Sequence, residues 1–411
     1  MSEPTDSPAV DDGLEEPRET FESVDWDQID LANSGRSPGQ YLWMGFLAIW
    51  LFGVLFDIYS QFVSAAAEPA ELPVIGTVAP EDWLWVLTLA CLVYYGVRPL
   101  YQSPRMTMHY WKQFRKNKAA VISGLFLSVI LVVGGIGARV LPFPERNPGF
   151  EELPPFWMSI EKYHVGNNCP GGTTMEAGVE ICHGSMQYPL GTTGSGEDIL
   201  LLIVHGMEVS MMVGLAATLL SVVVATVVGL SAAYFGGLVD EVLMRYVDLQ
   251  MTFPSFFLFL LLAYTIGGSL FILIMIFGLF GWGATARIIR AEALQRKAEP
   301  YMQAAKSAGA TSKWSIRRHL LPNTTNSIIT AATLTIPSII LAEAAIAFLA
   351  LSDPTIPSWG RVIADGRGSL QSSWWISTFP GIFLFFTILA FNFIGDALRD
   401  ALDPRHGGAE S

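Results

Sequence analysis

The sequence predicts an all-α integral membrane protein, and three observations lead there. Residues are 51% hydrophobic and 15% charged, with a mean hydropathy of +0.42, whereas soluble domains are about 25% charged. Apolar runs long enough for the roughly 20 residues a bilayer core requires recur along the chain. Lys and Arg gather in a few short connections between these runs, as they do where loops are retained on the cytoplasmic side.

Residues 1–40 come first and hold eleven acidic residues against Arg18 and Arg36. Such a segment buries too little apolar surface to offset its ordering entropy. It is predicted to be a disordered acidic tail, with a partner-binding arm as the alternative. Met1 is followed by acids rather than by a basic stretch and a short apolar run, so no cleavable signal peptide is predicted.

Eight helices are predicted to span the bilayer: 41–62, 83–97, 119–140, 209–235, 249–266, 270–286, 328–351 and 376–394. Trp43 and Trp83 sit near span ends, where aromatic rings favour the interface. Gly267, Gly268 and Ser269 break the fifth predicted span from the sixth and suggest a hairpin. Pro254, Pro337 and Pro380 fall inside spans, where neighbouring helices can satisfy the freed backbone groups. The basic residues Arg98, Arg105, Lys112, Arg115, Lys116 and Lys118 mark one cytoplasmic connection. A second carries eight, from Arg287 to Arg318. Residues 142–208 hold only Arg146 and Lys162 and are expected outside, which places both termini in the cytoplasm.

The stretch from Tyr301 to Asn323 is polar and basic between apolar segments, and an anchor alone would not need it. Tyr301, Ala304, Ala305 and Ala308 recur at i, i+3, i+4 and i+7, one face of a helix. Gly309 stands where a left-handed C-terminal residue is expected. Ser312 is a candidate N-cap for a second short helix holding Trp314 and Ile316, and Leu321-Pro322 is expected to end it. Small side chains and a glycine turn allow close approach by a partner backbone.

Other polar groups divide into weaker signals. Glu343 is an ionisable residue within a span, a functional candidate by default; the structural alternative, which the sequence favours, is an interhelical hydrogen bond. Cys169 and Cys182 flank a Gly-rich loop outside the membrane and suggest a disulfide. His164 and His183 lie near them, making zinc the alternative, although the spacing fits no standard ligand pattern. The remaining histidines are scattered. Asp396, Arg399, Asp400 and Asp403 cluster where the last span ends, either as a membrane-exit cap or as local salt bridges.

The basic stretch has the layout of the EAA loop of ABC importer permeases: Glu-Ala-Ala, three residues, Gly, nine residues, Ile, one residue, Leu-Pro. Here it reads Gln303-Ala304-Ala305, Gly309, His319, Leu321 and Pro322, with every spacing kept, Gln for Glu and His for Ile. His at that place resembles the dipeptide/oligopeptide branch. The runs 111–119, 188–198, 234–240, 351–360 and 391–405, with Arg245, Asp248 and Pro254, are similar to the same branch. The resemblance is therefore to the C-type permease of dipeptide/oligopeptide ABC importers and covers most of 111–405.

That resemblance implies a type I ABC importer transmembrane domain with six core helices at 119–405, plus two extra helices at 41–98. Residues 99–118 form a basic segment, 142–208 an extracytoplasmic loop, 287–326 a cytoplasmic coupling loop and 406–411 a tail. Gln303, Ala304, Ala305 and Gly309 would contact an ATPase, and His319, Leu321 and Pro322 belong to the same loop. Expected partners are a second permease forming a heterodimer, two ABC ATPase subunits, an extracytoplasmic substrate-binding protein and membrane lipid, with no nucleic acid. The chain has no Gly-x-x-x-x-Gly-Lys-Ser/Thr phosphate loop, so ATP is expected to be used by partner subunits, with no cofactor bound here. Dipeptides or oligopeptides are the expected cargo, with nickel, glutathione or oligosaccharides as alternatives. A carrier working without an ATPase would need functional charges at mid-depth, and few are present.

Overall fold

The computed structural model describes residues 38–63, 71–72, 76–77, 79–266, 268–353 and 355–402. Among these, seven helices are long and apolar enough to cross a membrane. The predicted acidic tail, Gly267, Pro354, Asp403, His406 and the 406–411 tail lie outside the described residues, apart from residues 38–40.

The chain divides into two units, residues 1–68 and 69–411. In the first, helix α1 (Pro38–Val63) leaves its side chains from 38 to 56 exposed or half-buried, which suits an apolar helix whose solvent is lipid.

The second unit begins with a two-residue strand pair, β1 (Glu71–Leu72) and β2 (Gly76–Thr77). Helix α2 (Pro80–Gln102) follows, opened by Pro80 at its first turn, where the missing N–H costs nothing. A short helix, α3 (Pro104–Phe114), precedes α4 (Lys118–Val140). Asn117 caps α4 by accepting from the Ala120 N–H at 3.2 Å.

Residues 141–198 fold outside the helices. Strands β3 (Ser159–Glu161), β4 (Thr173–Glu176) and β5 (Val179–His183) form an antiparallel sheet in the order β3-β5-β4. The sequence reading had only a Gly-rich loop there. Asp198 then caps α5 (Ile199–Phe235), accepting from the Leu200 N–H at 2.8 Å.

Helix α5 starts ten residues before the predicted 209, and the two polar residues of that extension are matched. His205 Nε2 meets the Pro142 carbonyl at 3.2 Å, and Glu208 pairs with Arg139 at 3.1 Å. At 37 residues the helix is roughly 55 Å long. It contacts α2 and the later helices α8 (Leu270–Phe280), α9 (Gly283–Lys297) and α12 (Leu321–Phe348). It is the spine of the core: Ile203, Val213, Ile274, Ile340 and Trp359 are wholly buried around it.

The predicted fifth span, 249–266, is not one helix. Phe253 adopts an extended conformation before Pro254, as a residue preceding proline does. The break separates α6 (Gly237–Thr252) from α7 (Ser255–Ile266). The sixth is interrupted at residues 281–282, between α8 and α9, which together form one of the seven candidate spans, Leu270–Lys297. Helices α10 (Pro300–Ser307) and α11 (Ser312–Ser315) precede a π-helical turn, Ile316–Leu320, that runs directly into α12. Pro322 therefore does not end a helix: it lies just after the π-helical turn, inside a helical run that continues from Ser312 to Phe348. After α12 come α13 (Trp359–Asp365) and α14 (Trp375–Leu402), which pack on each other and on α12. Helix α2, the second of the two added helices, packs on α5 and α8 through buried Trp85.

Candidate coupling site

The two ends of α5 carry the two candidate regions. Near its last turn, Lys297 donates to the Ala233 carbonyl at 2.9 Å, and the Lys306 ammonium lies 5.6 Å from the Tyr234 ring centre. These contacts seat the 298–320 segment on the end of the spine. Two ion pairs, Asp240 with Arg290 and Asp248 with Arg287, tie α6 to α9 beside it. The Arg290 guanidinium holds the Asp240 carboxyl below the usual carboxylate range.

Within the segment, α10 ends in a Schellman motif. Ala308 closes the helix and Gly309 takes φ +82°. The Gly309 N–H donates to Lys306 O and the Ala310 N–H to Ala305 O, both at 3.0 Å. Thr311, not the predicted Ser312, caps α11; its hydroxyl accepts from the Trp314 N–H at 3.4 Å. Met302 and Leu320 are buried and anchor the segment on its inner side.

The outer side is open. Tyr301, Ala304, Ala305, Gly309, Trp314 and His319 line a cavity of about 640 Å³. The His319 ring lies 4.9 Å from Trp314 and 5.9 Å from Tyr301. The structure thus brings Ala304, Ala305, Gly309 and His319 to one concave face. It does not bring Gln303 there: one residue before Ala304 on the helix, Gln303 is exposed on another side. Leu321 and Pro322 lie just beyond, half-buried and exposed, where α12 begins. Met302 and Leu320 are contributors the sequence reading missed; their apolar side chains beside the motif were the available signal.

At the opposite end, the Trp359 indole N–H donates to the Ile203 carbonyl at 3.0 Å, with Gly206 leaving room for the ring. Glu197, buried, faces Arg146 at 3.8 Å and Arg361 at 3.7 Å. Ser373 donates to Glu152 at 2.7 Å, joining the 141–198 loop to the segment before α14. Cys169 and Cys182 form a disulfide with Cα atoms 5.9 Å apart. Both ring nitrogens of His183 are hydrogen-bonded, to Ser159 and Thr174 at 2.7 and 2.8 Å. With both sulfurs joined to each other, that neighbourhood offers no thiolate to zinc.

Glu343, 1% exposed on α12, lines a small cavity with Gly268, Ser269, Asp353 and Ser358. Its Oε2 has no hydrogen-bond partner, and the group beside it, Ser358, belongs to the chain just after α12. Ser358 is the N-cap of α13, so its contact with the Glu343 carboxyl runs between two helices. Among the described residues, Asp396, Arg399 and Asp400 form no salt bridge with one another. The end of α14 is held instead by Asn326, which donates to Leu402 O at 2.9 Å.

Comparison with known proteins accounts for this arrangement. Residues 225–407 match the family of binding-protein-dependent transport system inner membrane components, and residues 107–155 match the N-terminal TM domain of oligopeptide transport permease C. The oligopeptide transport system permease protein OppC of Haemophilus influenzae is 31% identical over 72% of this chain and 87% of its own length. The dipeptide transport system permease protein DppC of Bacillus subtilis is 33% identical over 73% and 86%. The glutathione transport system permease protein GsiD of Escherichia coli is 29% identical over 73% and 90%. With a multi-span helical core and these relatives along most of its length, the chain belongs to the binding-protein-dependent transport permease family and is a permease subunit of an ABC transporter.

Proposed function

We propose that this chain forms half of the translocation pathway of an ATP-driven importer for dipeptides or oligopeptides, in the plasma membrane of a prokaryote. A second permease forms the other half. Two ATPase subunits dock on the cytoplasmic side, and a substrate-binding protein delivers cargo from outside. The 298–320 segment and both termini are cytoplasmic, and residues 141–198 face outward. The chain has no phosphate loop of its own, so ATP is hydrolysed by the docked subunits. Glutathione is the second reading of the cargo, supported by the relative that carries that name.

The observation that carries this reading is the concave face of Ala304, Ala305 and Gly309 beneath Trp314 and His319. Small side chains around a left-handed turn let a partner element approach the backbone, and burial of the exposed rings would stabilise the contact. The test is uptake of labelled di- and tripeptides by proteoliposomes holding both permeases, with and without the ATPases and the binding protein. ATP-dependent uptake that needs all components supports the proposal. Uptake by the permeases alone, or full pumping after residues 308–311 are scrambled, would overturn it.

A further inference from the structure

Helix α3 serves neither end of α5, yet its surface is organised. It lies between two spans, α2 and α4, and is fixed there at both ends. Thr107 Oγ1 donates to Leu100 O at 2.5 Å and to Ser103 O at 3.1 Å across the first turn, and Asn117 caps the helix that follows. The helix is 11 residues long and directly joins two candidate spans.

Three stripes run along it at helical spacing. Thr107, Tyr110 and Phe114 are half-buried, and the helix packs on α14. Met108 and Trp111 form an apolar stripe and are 54% and 49% exposed. Arg105, His109 and Lys112 form a third, on the side away from α14, and all are exposed. Residues 98–118 contain six Lys and Arg and no Asp or Glu. Neither Arg105 nor Lys112 meets an acidic group among the described residues. A helix with an apolar stripe and an adjoining basic stripe suits an interface carrying negative charge.

We propose that α3 lies in the membrane interface and binds anionic phospholipid headgroups through Arg105 and Lys112, with Met108 and Trp111 set among the acyl chains. The headgroup phosphates supply the counter-charge that the protein does not. The site selects lipids by charge, and its occupancy falls as salt screens the pairing.

Trp111 reports on this directly. The full-length chain is reconstituted in bilayers with equal fractions of brominated phosphatidylglycerol or brominated phosphatidylcholine, and the Trp111 signal is taken as the difference from Trp111→Phe. The anionic lipid is expected to quench Trp111 more strongly, with local enrichment of roughly fivefold per basic residue. R105Q/K112Q abolishes the preference; R105K/K112R retains it, which separates charge from folding. Equal quenching by the two lipids, no quenching at all, or a preference that survives R105Q/K112Q would overturn the proposal. So would a preference that emerges only after residues 1–37 are removed, since the strip would then belong to the chain's own acidic segment.

Discussion

At the start of α5 the chain supplies its own partners, and at the end of α5 it leaves a surface open. The first region is closed by a disulfide, by Glu197 between two arginines and by two fully buried tryptophans, Trp359 and Trp375. The second has anchors on its inner side only, and its outer face is alanine, glycine and three partly exposed rings, Tyr301, Trp314 and His319, around a concavity. The difference separates a region packed against its own chain from one whose outer face stays open, where the proposed ATPase would dock. Substitutions matched between the ends should therefore fail in different ways.

The largest contrast is expected from one substitution made at each end. Gly309 and Gly178 take φ +82° and +86°, and a Cβ at either meets nothing within 4 Å. Valine imposes a similar backbone strain at both, of roughly 1–2 kcal/mol. Gly178→Val, in the β4–β5 turn, should change uptake less than twofold, whereas Gly309→Val should lower ATP-driven uptake more than tenfold with normal membrane insertion. Equal losses at the two sites would mean that strain, not docking, explains the effect. ATPase co-purification with each variant is the independent check.

A second pair tests burial. Trp359→Ala removes a wholly buried ring that packs against Gly206 and donates to Ile203 O. It should cost about 3–5 kcal/mol, seen as a lower thermal midpoint of the purified chain in detergent. Trp314→Ala removes a ring that is 49% exposed. It should leave that midpoint nearly unchanged while weakening retention of the ATPases. A Trp314→Ala chain that melts as early as Trp359→Ala would show that the open face is part of the core.

The covalent link is expected to matter less than the buried ring. Replacing both Cys169 and Cys182 with Ser should destabilise the 141–198 region by about 3 kcal/mol in the chain-entropy account. Limited proteolysis should then cut within 165–185 sooner, and reductant should do the same to the unsubstituted chain. Unchanged cleavage in both cases would mean that the β3-β5-β4 sheet and the Glu152 bonds hold this region without the disulfide.

Much of the open end was legible in the sequence because its geometry is local. Ala304, Ala305 and Gly309 lie within six residues, and a glycine after an alanine face specifies a left-handed turn with little help from elsewhere. Its anchors were signalled only as apolar residues beside the motif, because whether Met302 and Leu320 are buried depends on residues near 230 and 290. Leu321-Pro322 was ambiguous in principle, since proline both ends helices and occurs within them. The apolar run 249–266 read as one span because hydropathy does not register the break that Pro254 imposes on Phe253. The closed end was mostly invisible for a single reason. Glu152 with Ser373 and Ile203 with Trp359 join residues 221 and 156 positions apart, and no local pattern announces such pairs.

Glu343 should give the smallest effect, and it bears on the same contrast from inside the core. Its carboxyl is buried with Oε2 unpartnered, yet it faces a small cavity bordered by Ser269, Ser358 and Asp353. Gln preserves the shape and introduces an amide N–H₂, while removing any charge that burial would penalise. If the closed end serves rigidity alone, Glu343→Gln should leave assembly intact and change uptake by less than about twofold, because packing around the side chain is kept and no bond to Oε2 is lost. Abolished uptake with normal assembly would give this end a role in the transport cycle, and the division between a rigid end and a docking end would no longer hold. Uptake and complex yield measured on one preparation distinguish the two results, since a folding defect lowers both together.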